Sequence, residues 1–217
     1  MKTDNQLQQD VMAELNWDSS IDSAKIGVEV SNGVVTLSGH VDKYADKWAA
    51  EHAAQKVCGV KALAVAIDVD LPGASVRSDA DIALTAENVL EWTTDWPKDH
   101  VKVMVENGWI TLSGQVSLDY ERQLAAGAVK HLMGVTGVSN QITIKPKVST
   151  NEVKTEIEAA LKRRALIDAS NIAVTVHGGK VTLTGVVHSW SERDMVSDSV
   201  WNTQGVSSVD DFISVAY

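Results

Sequence analysis

NGVVTLSGHV, residues 32–41, returns as NGWITLSGQV at residues 107–116 and as GGKVTLTGVV at residues 178–187. Self-similarity over a long spacing marks repeated structural units, so the repeat governs every other reading of the chain. With Gly39, Gly114 and Gly185 as fixed points, the copies follow one another at nearly equal spacing and align without a gap over most of their length. Upstream, Leu7, Ile82 and Val153 correspond, as do Leu15, Leu90 and Leu161. Downstream, Gly59, Gly134 and Gly205 each fall at the same offset from the reference glycine and open GVKAL, GVTGV and GVSSV.

The pattern inside one copy predicts its elements. Leu7, Val11 and Leu15, and in the third copy Val153, Ile157 and Leu161, recur at every fourth position and form one apolar helix stripe. Ile26, Val28 and Val30 alternate as in a half-buried strand. Asn32-Gly33, Asn107-Gly108 and Gly178-Gly179 supply the positive φ of a tight hairpin. A second strand ends at the reference glycine, a second helix follows at about Tyr44–Val57, and Val65, Ile67 and Val69 make a last strand. Ser189 with Glu192 matches a capping box at the third copy's second helix. The fold class is therefore α+β: three tandem α-β-β-α-β units over residues 1–70, 76–145 and 148–217, each a three-stranded sheet with two helices on one face and the other face open. Pro72, Gly73 and Pro146 mark the linkers. Units of about 70 residues bury only about 60% of their unfolded surface, so packing between units is expected.

With 217 residues, 44% hydrophobic and 22% charged, the chain is of ordinary globular composition. A net charge of −10 argues against nucleic acid as a partner. One cysteine, Cys58, excludes an internal disulfide and a thiolate zinc site. The N-terminus lacks the pattern of a signal peptide, and no apolar run approaches the length of a spanning helix, so no transmembrane segment is expected. These features favour the cytoplasm, with the periplasm as the alternative if an export signal was removed.

A group required by every unit should recur at one aligned position. The six histidines occupy six different offsets, and neither HExxH nor CxxC is present, so neither a metal nor another cofactor is expected. Cys58 is expected to be buried near the end of an apolar helix, which disfavours a nucleophilic thiolate. Ser38, Ser113 and Thr184 belong to the open strand face, and the reference glycines stand singly, unlike a phosphate-cradling loop. Carboxylates do not recur as an acid–base pair across all three copies. The chain reads as no enzyme.

Seven tryptophans against one phenylalanine is the compositional oddity. Trp96 aligns with Ile21 and Ile167 and reads as a structural anchor. Trp17 aligns with Trp92 and Arg163, at the rim of the first helix. Trp48, Trp109, Trp190 and Trp201 align with polar residues in at least one sister copy, so in an isolated unit they are exposed. Trp190 and Trp201, about three helical turns apart, share a helix face, and Tyr44 and Trp48 mark its counterpart in unit one. Trp109 and Met104 share the open sheet side. These six residues are candidate contacts between units, in a homo-oligomer, or with a protein partner. Lys162, Arg163 and Arg164, with Lys154 earlier on the same helix and Lys147 in the linker, form the one basic cluster. It complements a helix dipole or meets an anionic phospholipid surface.

The α-β-β-α-β order, the [NG]G-x-[VI]-T-L-[ST]-G-x-V segment and the later G-V-x-x-[VL] resemble the BON domain, three times over nearly the whole chain. The resemblance implies a non-catalytic module of bacterial osmotic stress physiology, transport-associated and membrane- or phospholipid-binding. Three bare copies resemble the cytoplasmic, stress-associated branch. The function expected is interaction with a phospholipid surface or protein partners through exposed helix and sheet faces. Two alternatives stand beside it: a cytosolic ion-responsive module, for example for potassium, and a self-assembling scaffold.

Overall fold

The computed structural model describes residues 2–93, 100–145, 155, 157–160, 171–177 and 179–216. In unit one, α1 (Asp4–Trp17) begins at Thr3, whose hydroxyl accepts the Gln6 N–H at 3.3 Å while the Gln6 side chain accepts the Thr3 N–H at 3.0 Å. Its stripe Leu7, Val11 and Leu15 is buried. Strands β1 (Ile26–Ser31) and β2 (Val34–Val41) run antiparallel across the Asn32-Gly33 turn, and after α2 (Tyr44–Lys56), β3 (Ala62–Val69) lies parallel to β2. Unit two repeats this with α3 (Asp79–Thr93), β4 (Val101–Glu106), β5 (Trp109–Val116), α4 (Asp119–Val129) and β6 (Gly137–Ile144). Unit three contains β7 (Ile172–His177), β8 (Lys180–Val187), α5 (Trp190–Trp201) and β9 (Ser208–Val215), and residues 157–160 before them are helical. The three sheets have the same order, with the hairpin's second strand in the centre.

Each central strand sends three residues into the core: Val35, Leu37 and Val41; Ile110, Leu112 and Val116; or Val181, Leu183 and Val187, the first two of each set at 0% exposure. Residues from both helices join them in one cluster per unit, so both helices cover the same sheet face. Thr36 and Ser38, with their counterparts, point to the other face.

The reference glycine has a steric cause. Gly39, Gly114 and Gly185 adopt φ of 138°, 143° and 150°, and a Cβ there would stand 2.1, 2.1 and 2.2 Å from the carbonyl oxygens of Lys25, His100 and Asn171. Only glycine lets the central strand pass so close to the chain entering its neighbour. A second device joins helix to hairpin. Asp4 accepts the Asn32 and Gly33 amides at 2.7 and 2.9 Å, and Asp79 accepts those of Asn107 and Gly108 at 2.9 and 2.8 Å.

Two expectations are corrected. Cys58 is exposed, because Val57 and Val60 take the inward positions of the turn after α2 and leave the cysteine facing water. At α5, Ser189 accepts the Glu192 N–H at 3.1 Å, but Glu192 reaches past Ser189 to the His188 N–H at 2.7 Å, so the capping box is not closed.

Candidate functional site

The second helices of the three units meet one another, and their junction gathers side chains that differ between copies at aligned positions. At one aligned position, the start of the second helix, stand Tyr44, Asp119 and Trp190. Tyr44 packs on the core of unit two, where its phenol reaches the backbone of Val138. Trp190 packs on the core of unit one and donates its indole N–H to the Val60 carbonyl at 2.8 Å. Further along, Lys130 of unit two lies 3.4 Å above the Trp48 ring of unit one, and Arg122 of unit two lies 4.7 Å from the Trp201 ring of unit three. Asp194 of unit three acts on His52 of unit one. In each case the leading half of one second helix meets the trailing half of the next, in the order one to two, two to three, three to one. A relation that closes after three steps is an approximate threefold ring.

The junction is unevenly buried: Asp119 is enclosed, whereas Asp194 and Asp198 remain exposed. Burial pushes the carboxyls of Asp119 and Asp194 upward from the usual range, with Asp198 adding repulsion to both. Burial likewise holds Lys130 below the usual amine range, so its cation meets the Trp48 face partly desolvated, the condition under which such contacts strengthen. The His52 ring stacks on Trp48 at 3.7 Å and its Nδ1 donates to the Trp48 carbonyl at 3.0 Å; burial depresses its pKa despite the opposing pull of that hydrogen bond and of Asp194.

Tyr44, Trp48, Trp190 and Trp201 thus come together at the junction, each half-buried. Met104 and Trp109 stand apart from it on the outer sheet face of unit two, 59% and 49% exposed. The Trp109 ring rests on Gly137, where a Cβ would stand 2.2 Å from it. Lys154, Lys162, Arg163, Arg164 and Trp96 lie outside the described residues. Among the described residues the most exposed indoles are Trp17 and Trp92, at 85% and 89%, at equivalent C-terminal ends of the first helices of units one and two. Sequence alignment paired them but gave no measure of how far they project. Their shared offset was the available signal. The pocket at the start of α1, lined by Lys2, Asp4, Gly33 and Lys61 among others, has its carboxylate committed to the hairpin amides. Among the described residues no group of three or more His, Cys, Asp or Glu could hold a metal ion, and no helix is long and apolar enough to cross a membrane.

The BON domain profile matches residues 3–70, 78–146 and 149–217. The chain belongs to the BON domain family. Among curated relatives, osmotically-inducible protein Y of Escherichia coli (strain K12) is 33% identical over 146 residues, 65% of this chain and 73% of the relative. The outer membrane lipoprotein DolP of Haemophilus influenzae is 26% identical over 158 residues, 70% of this chain and 81% of the relative. Among solved structures, CdsD, a structural protein of the type III secretion system of Chlamydia trachomatis, is 14% identical with a TM-score of 0.27, covering 96% of this chain and 91% of that one. The three BON units share a scaffold, while Tyr44, Asp119 and Trp190 differ at one aligned position of their second helices.

Proposed function

We propose that the protein is a non-enzymatic, multivalent scaffold that docks on an anionic phospholipid surface through the ends of its first helices. One observation carries this reading: Trp17 and Trp92 project almost fully at equivalent positions of two units, with 85% and 89% exposure. An indole combines an apolar body with an N–H and is favoured at a membrane–water boundary. A surface that meets both indoles together lets weak contacts multiply. The corresponding residue of unit three is Arg163 between Lys162 and Arg164, and a basic residue near an anionic surface gains about 1 kcal/mol. The net charge of −10 opposes this elsewhere, so binding is salt-sensitive. Similarity to an osmotically inducible protein and to an outer membrane lipoprotein supports a stress-associated role at a membrane, in the envelope rather than the cytoplasm.

Vesicle flotation tests the proposal. The full chain should float with phosphatidylglycerol vesicles at low salt, less with phosphatidylcholine, and Trp17→Ala with Trp92→Ala should abolish flotation while leaving the circular dichroism intact. No flotation with phosphatidylglycerol at low salt would overturn it. A second reading, a protein partner or second copy on the outer sheet of unit two, is favoured by exposed Met104 and Trp109. It predicts a solution mass above the monomer that Trp109→Ala restores to one chain.

A further inference from the structure

We propose that the ring has one releasable seam, the contact between units two and three, and that the carboxyl of Asp119 is its latch. The three seams are built by the same helix positions but closed by different chemistry. At the first, Tyr44 packs against the core of unit two, and at the third, Trp190 packs against the core of unit one with a hydrogen bond to Val60. At the second, the aligned residue is Asp119, and among the described residues the core cluster of unit three contains no side chain from unit two. Unit three is also more polar where its sisters are apolar: its buried Ser199 and Thr203 align with Ala53 and Val57 in unit one.

Asp119 is 2% exposed, an unusual position for a carboxylate. Its Oδ2 accepts from Gln123 at 2.7 Å, and its Oδ1 is paired with the Arg122 guanidinium. Arg122 is shared, since its guanidinium also lies on the Trp201 ring across the seam. The charged groups facing Asp119 are Arg122 on its own helix and Asp198 on α5, one attractive and one repulsive. Burial without full compensation penalises the ionised form, and separation of the units would hydrate it. The carboxyl is displaced upward in the closed ring, so closure binds a proton: lowering the pH closes the seam, and raising it loosens the seam. The other two seams contain titratable groups, His52, Lys130 and Asp194, but each is also fastened by an aromatic ring packed against the neighbouring core.

Fluorescent labels test this on the full chain with Cys58→Ser. Dyes at Lys102→Cys and Phe212→Cys, both on outer sheet faces, report the separation of units two and three; Glu29→Cys with Lys102→Cys reports units one and two. The first pair should show a short and a long separation at pH 8, with the long fraction falling as the pH is lowered stepwise into the acid range, and Asp119→Asn should give the short separation throughout. The second pair should show one separation throughout. A single short separation of the first pair at every pH, or an Asp119→Asn chain that still opens, would overturn the proposal. Should Asp119→Asn fail to fold, the parent chain's pH series decides.

Discussion

The indole N–H of Trp190 donates to the carbonyl of Val60, 130 residues earlier in the chain, at 2.8 Å. Its ring also packs on the core of unit one, so apolar burial and a hydrogen bond act together across a seam between non-adjacent units. Trp190→Ala should cost about 3 kcal/mol in urea unfolding. Trp190→Phe keeps most of the packing and leaves the carbonyl unpaired, for about 1 kcal/mol. Midpoints unchanged in both variants would show that the seam adds nothing to stability.

Two glycines of unit two should respond in opposite directions. Gly114 has φ of 143° and a backbone oxygen 2.1 Å from the position of a Cβ, whereas Gly127, inside α4, has nothing within 4 Å. Gly114→Ala should destabilise by about 3 kcal/mol or more, since strain and overlap add. Gly127→Ala should stabilise by about 0.5–1 kcal/mol, the helix preference of alanine over glycine. Thermal melts of the two variants give the comparison, and a loss in Gly127→Ala would mean that the junction closes over that position.

Asp79 holds two amides of the hairpin turn at 2.9 and 2.8 Å. Asp79→Ala should therefore cost about 2 kcal/mol, and Asp79→Asn about half as much, because the amide keeps one acceptor. Asp4→Ala removes the same clamp from unit one. The two losses belong to separate units and should add to within about 0.5 kcal/mol in chemical denaturation.

Burial depresses the His52 pKa from its ordinary value of 6.5. A depressed pKa means that the folded state resists a proton which the unfolded chain accepts. The His52 contribution is fully present above about pH 6.5 and is lost as the pH falls through the lower folded value. His52→Gln should flatten the decline in melting temperature between pH 7 and pH 5.5. The raised carboxyls of Asp119 and Asp194 act in the opposite direction, adding stability as they take up protons on acidification. An unaltered decline in the variant would place the acid sensitivity elsewhere.

Much of the fold is legible in the residues because its causes are local or periodic. Leu7, Val11 and Leu15 face the core because a helix repeats about every 3.6 residues, and Val35 and Leu37 do so because a strand alternates. Asn32-Gly33 turns the hairpin because its φ values of 54° and 79° suit those residues. The site is less legible. Alignment shows that Tyr44, Asp119 and Trp190 share one position and differ in chemistry, but nothing in a linear pattern says that their partners are Val138, Arg122 with Gln123, and Val60.

Sequence alone determined three copies of one α-β-β-α-β scaffold, with the glycines and turn residues that each copy needs. Tertiary structure decided which surfaces stay wet. It placed Tyr44, Trp48, Trp190 and Trp201 against neighbouring units, left Trp17 and Trp92 projecting, and turned Cys58 outward. The physical reason is range: periodicity and steric fit act within a few residues of one element, whereas burial at the ring depends on how three separately folded faces pack, a relation carried by no single stretch of chain.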